Sequence, residues 1–150
     1  VVSIDYLGVF LVSLDFSLQA QHGPDDRHVS YTGLQKVYCC IRAEDPELLE
    51  HIIYFFVSQN LAVHLPQHGS VYVEIIQITE RLLIFVMVIQ RNGKIDGSFL
   101  RRLGFNRWLQ HNFKSELDDA VEALCIQLQD FLRVALQRKV SCDCKINIQV

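Results

Sequence analysis

An α+β fold, with helices covering one face of a single sheet, is what this chain of 150 residues predicts. Three observations carry that expectation. Two segments are apolar on both faces and read as inner strands, two helical stretches separate strand-like ones, and the length permits a core that needs no staples. The whole chain, 1–150, is read as one domain. Half of the residues are hydrophobic and 21% are charged, at the apolar edge for a water-soluble domain, so some apolar surface is expected to serve a partner.

The elements follow in order. Phe10, Val12, Leu14, Phe16 and Leu18 alternate with polar or smaller residues, the period of a strand with one buried face. Residues 20–34 collect Gly23, Pro24, Asp25, Asp26, Ser30 and Gly33 and read as a flexible loop. Val37 to Ile41 is an inner strand by its two apolar faces. Asp45 and Pro46 then give an N-cap and a proline at the first helical position, starting a helix expected to reach about Asn60.

Pro66 and Gly69 precede a hairpin of Val71 to Thr79 and Leu82 to Gln90, with a β-bulge expected near Ile75 and Ile76. Because Leu82 to Ile89 is apolar without interruption, both of its faces must be covered. A second helix is predicted over Ser115 to Lys139, with Ser115 and Asp118 as a capping box. Its stripe is Leu117, Val121, Leu124, Leu128, Phe131, Leu132 and Ala135. At ~1.5 Å per residue that helix is about 37 Å long and overhangs a strand of about 27 Å. Lys145 to Val150 closes the chain as a strand pointing Ile146, Ile148 and Val150 inward.

With the first strand set aside, the order is that of a ferredoxin-like βαββαβ sheet carrying an extra N-terminal strand and two helices on one face. Counting the first strand and dropping the last gives the alternative, a platform similar to longin or roadblock domains. The chain begins without Met and stops inside a strand-like stretch, which reads as a piece excised from a longer protein.

Charge and cysteine usage narrow the function classes. The net charge is −3, with eight acids against three bases in residues 1–50 and three acids against six bases in residues 51–110. That balance argues against a general polyanion binder and leaves a local basic site open. Cys39, Cys40, Cys125, Cys142 and Cys144 are an odd number in a chain able to fold unaided, which favours reduced thiols and an intracellular setting, cytoplasmic or nuclear. Cys39 and Cys40 must point to opposite faces of a strand, and the spacings are not those of a zinc site. No apolar run approaches the ~20 residues of a membrane-spanning helix, and no membrane is expected among the partners.

Motifs for phosphate loops, dinucleotide folds, zinc proteases and nucleophile elbows are absent from the sequence. No catalytic residue, cofactor or metal ligand is therefore nominated. His64 and His68 read as an ordinary loop pair, and Asp118, Asp119 and Glu122 as helix-dipole partners and solvated surface. The expectation is a non-catalytic protein-protein interaction or assembly domain that pairs with another subunit or with itself through the sheet face left free by the helices. Its docking residues are expected to be Arg101, Arg102, Phe105, Arg107, Trp108, Phe131, Leu132 and Leu136, because Trp and Arg recur as anchors and the overhanging helix end would expose its apolar groups. The alternative is a nucleic-acid-binding module using the mixture of arginines and aromatic rings in residues 91–108.

Overall fold

A computed structural model describes residues 5–23, 27–58 and 70–146. The elements run β1 (Tyr6–His22), β2 (His28–Ala43), α1 (Pro46–Ser58), β3 (Ser70–Thr79), β4 (Leu82–Asp96), α2 (Gly97–Leu103), α3 (Phe105–Leu136) and β5 (Ser141–Ile146). The α+β class is as expected, with one five-stranded sheet ordered β3-β4-β2-β1-β5. The two segments read as inner strands are indeed partners: Val37 lies opposite Met87 and Ile41 opposite Leu83 in an antiparallel ladder.

The strand order nevertheless departs from the expected ferredoxin-like arrangement at one place. β1 is inserted between β2 and β5, antiparallel to the first and parallel to the second. Insertion follows from its sequence, since β1 carries apolar residues long enough to pair on both edges with Leu7, Val9 and Leu11 facing the core. Alternation within β1 also changes phase. A bulge between Leu11 and Ser13 leaves Val12 46% exposed, and Leu14 then resumes the buried row. The simple alternation from Phe10 to Leu18 is corrected accordingly.

The expected loop over residues 20–34 is strand for most of its length, because Val29 to Gly33 pairs with both β1 and β4. A Cβ at Gly33 would run into the ring of Phe16, and one at Gly93 would come within 2.7 Å of the Tyr31 hydroxyl. These glycines admit aromatic rings laid across the strands, which is a known reason for glycine inside a sheet. The bulge expected near Ile75 and Ile76 falls instead between Gln77 and Thr79.

α1 starts as read: Asp45 Oδ1 accepts the Leu48 N–H at 3.0 Å, and Leu48, Leu49, Ile52, Phe55 and Phe56 are buried. Its expected end at Asn60, and the turn at Pro66 and Gly69, lie outside the described residues. β4 runs six residues past Gln90 and ends on Asp96, which caps α2 by accepting the Ser98 N–H at 2.9 Å. Gly104, at φ +80°, turns the chain from α2 into α3.

α3 therefore begins ten residues before Ser115, and the expected capping box is mid-helix. Trp108, Leu109 and Phe113 extend the same stripe backwards from Leu117, so the helical period was present but overshadowed by the arginines around it. Thirty-two residues of helix span about 48 Å, while the 17 residues of β1 span about 56 Å. Helix and sheet are matched in length, and the expected overhang does not occur. Gln137 ends α3 in the left-handed region at φ 52°. Beyond it, Arg138 pairs with Asp5 at 2.6 Å, Asp45 at 3.4 Å and Glu47 at 3.5 Å, tying the helix end to the starts of β1 and α1. β5 follows; Ile146 packs against the core, while Ile148 and Val150 lie outside the described residues.

Candidate functional site

The two faces of the sheet differ. α1 and α3 cover the face bearing Leu7, Val9, Leu11, Val37, Cys39, Ile41, Leu83, Phe85, Met87 and Ile89, which form one core. Alternation sends Leu82, Ile84, Val86 and Val88 to the other face. There Val86 and Val88 are 4% and 3% exposed without belonging to that core. Their cross-strand neighbours are Tyr38 and Lys36 on β2, and Glu74 and Tyr72 on β3. Tyr72 (55% exposed), Ile76 (48%) and Leu34 (41%) add apolar surface, with Phe10, Tyr38, Cys40, Leu82 and Ile84 half-buried among them. No described helix lies over this face.

The residues singled out for docking are placed elsewhere. Trp108 is buried in an aromatic cluster, its ring 5.0 Å from Tyr31, 5.3 Å from Phe113 and 5.5 Å from Phe105. Phe105 is half-buried against Phe16 at 4.6 Å. Leu132 is fully buried; Phe131 packs on Phe55 at 4.9 Å, and Leu136 is half-buried against the core. The end of α3 is thus corrected from docking surface to core, with Val134 and Ala135, the latter expected in the buried stripe, left exposed. Arg101, Arg102 and Arg107 are exposed. Arg107 lines a shallow cavity of about 440 Å³ with Phe99, Leu103, Gln110 and His111.

Arg91 is the clearest departure from the reading of residues 91–108 as a basic surface segment. It lies in β4 in phase with Leu83, Phe85, Met87 and Ile89, and so enters the core, 3% exposed. Its guanidinium donates two hydrogen bonds to Glu116 at 3.0 and 3.1 Å and one from Nε to Gln35 Oε1 at 3.1 Å. The same group lies 4.2 Å above the Phe113 ring. For the nucleic-acid alternative the consequence is direct. Exposed arginines remain at one corner, but Phe99 and Phe105 are half-buried and Trp108 is buried, so the segment presents no free ring for a base to stack on.

The cysteines are corrected too. Cys125 on α3 and Cys142 on β5 form a disulfide, Cα–Cα 6.4 Å, because α3 packs over the edge strand. Cys125 and Cys142 are therefore not the reduced thiols expected of them. Cys39, Cys40 and Cys144 are free thiols, and β1 lies between the strand of Cys39 and Cys40 and that of Cys144. Burial pushes the Cys39 thiol up to about 12. Cys144 is raised by burial first and then by Glu122, Asp143 and Asp118. Among the described residues no three His, Cys, Asp or Glu side chains gather as metal ligands; His64 and His68 lie outside them. No helix among the described residues is long and apolar enough to cross a membrane.

Sequence reasoning located the open face through Leu82 to Ile89 but missed its outer members. Tyr72, Ile76 and Tyr38 could have been found by fixing the strand phase on Val86 and Val88 and reading across the hairpin. No protein-family model matches this chain, and comparison with curated proteins and with solved structures returns no match.

Proposed function

We propose that this chain is a non-catalytic assembly module that docks a protein partner, another subunit or a second copy, through the open face of its sheet. The observation that supports this reading is the exposed apolar set Tyr72, Ile76 and Leu34 on a sheet face over which no described helix lies. Four strands at ~4.8 Å and nine residues at ~3.3 Å give this field roughly 570 Å². A standard interface takes roughly 800 Å² from each partner, so a partner must cover the rim as well as this field.

Exposed apolar patches of this kind bind hydrophobic dyes and associate. Tyr72→Glu and Ile76→Glu change exposed edge-strand positions and are expected to preserve the fold while abolishing both dye binding and concentration-dependent association. Sedimentation that finds the unsubstituted chain a monomer at high concentration, together with no dye binding, removes the reading. Sedimentation alone separates a second copy from a different subunit, since only self-pairing raises the mass of the pure protein.

A further inference from the structure

A cavity of about 700 Å³ lies at one end of the open face, lined by Tyr6, Arg42, Ala43, Glu44, Thr79, Arg81 and Leu82. The strand ends that build it are fastened together. Ala43 N–H donates to Arg81 O at 2.9 Å, Glu44 N–H donates to Tyr6 O at 3.0 Å, and Arg81 N–H donates to Thr79 Oγ1 at 3.2 Å. Tyr6 is held in turn by its hydroxyl, which donates to Asp143 Oδ2 at 3.1 Å. Buried Ala43 and half-buried Tyr6 and Leu82 form a floor, and Leu82 leads along β4 into the apolar row of the open face.

Two guanidinium groups stand at this cavity, both exposed, and among the described residues neither has a carboxylate partner. The contrast is with Arg91 and Arg138, each of which is ion-paired. Glu44 shares the rim, so the three charged side chains sum to one positive charge. That balance suits a monoanion such as a carboxylate better than a phosphate dianion. Arg42, Glu44, Thr79 and Arg81 are all exposed, which makes the cavity a trough that a chain crosses.

We infer that the trough receives an acidic side chain of the docking partner, carried next to an apolar side chain that rests on Tyr6 and Leu82. The inference builds on the docking role proposed for the open face and adds the chemistry of the segment that docks. Arginine forks match carboxylates in geometry and charge, and such charge-assisted bonds are the stronger class. The apolar neighbour supplies the burial that an exposed ion pair lacks.

The test uses the whole chain, labelled with ¹⁵N, and two blocked tripeptides, acetyl-Leu-Glu-Leu-amide and acetyl-Leu-Gln-Leu-amide, with inorganic phosphate as a third probe. The glutamate peptide is expected to move the amide signals of Tyr6, Arg42 to Glu44 and Thr79 to Leu82. The glutamine peptide should bind about tenfold more weakly, the worth of one charge-assisted hydrogen bond. Arg42→Gln and Arg81→Gln should each weaken the glutamate peptide by about the same factor, whereas Val134→Asp, exposed on α3 outside the open face, should leave it unchanged. Equal binding of the two peptides, tighter binding of phosphate, shifts elsewhere, or no response to either peptide each overturns the inference. Dye binding and association are read separately, so the open face can survive failure of the trough, and the reverse result is equally visible.

Discussion

Glu116→Ala is expected to be among the costliest single truncations in this protein that remove no core hydrocarbon. The Arg91 side chain is 3% exposed and Glu116 14%, so truncating Glu116 leaves a largely desolvated cation without its charge partner. Breaking a buried pair in this way costs about 3–5 kcal/mol. Gln35 and Phe113 still contact the guanidinium, which places the expected loss near the lower end, about 3 kcal/mol. Replacing the whole pair behaves differently. Arg91→Met with Glu116→Leu removes both desolvated charges, and it should lie within about 1 kcal/mol of the parent, because hydrophobic substitutes for a buried pair are often neutral or better. Urea unfolding of the parent, both single variants and the double variant yields the coupling directly. Additive losses, with the double variant worse than either single one, would refute the claim that desolvated charge dominates this site.

Reducing the disulfide, or replacing Cys125 and Cys142 together by Ser, should lower stability by about 3 kcal/mol, as expected for a loop of this length; equal melting temperatures with and without reductant would show that β5 is held by packing alone. Cys39 titrates at about 12 in the fold against an ordinary 9.0. A raised thiol contributes stability that is fully present below the unfolded value and is lost as pH rises through the folded one. Stability should therefore fall between pH 9 and about 12, and Cys39→Ala should flatten that limb of a pH-dependent melting curve. Leu136→Asp should destabilise the isolated protein because the side chain packs against the core, while Val134→Asp, at a position 69% exposed, should change stability by less than about 0.5 kcal/mol; equal melting of the two variants would contradict that placement.

What was legible in the sequence was whatever a local period encodes. Val37 to Ile41 and Leu82 to Ile89 stood out because both faces were apolar, and they are neighbours in the sheet. Asp45 and Pro46 announced α1 through a cap that forms as read. Three features were not legible, each because a distant partner decides it. Gly33 looks like a loop residue until the ring of Phe16 is seen to need the space. Arg91 looks solvated until Glu116, twenty-five residues away, is found above it. The spacing of Cys125 and Cys142 says nothing of their pairing, which the packing of α3 over β5 creates. Of the candidate site, the apolar row was visible in β4, but Arg42 and Arg81 gained meaning only when the strand ends met.

The way the helix-covered layer is fastened bears on how the open face can bind. At one end the aromatic cluster and the Arg91–Glu116 pair join β1, β2 and β4 to the start of α3. At the other, Arg138 joins the end of α3 to Asp5 and Asp45, and the disulfide joins the same helix to β5. The helix thus braces the sheet along most of its length, from the side opposite the proposed docking surface. Binding loses affinity when the surface must be ordered at the moment of contact, and a braced sheet has already met that cost in folding. Leu82 and Ile84 on β4, with Ile76 and Tyr72 beside them on β3, are fixed in register by the β3–β4 ladder and present their side chains at set spacings, so a partner selected on one position is selected on the others too. Loosening the brace should accordingly weaken docking without altering any residue of the open face.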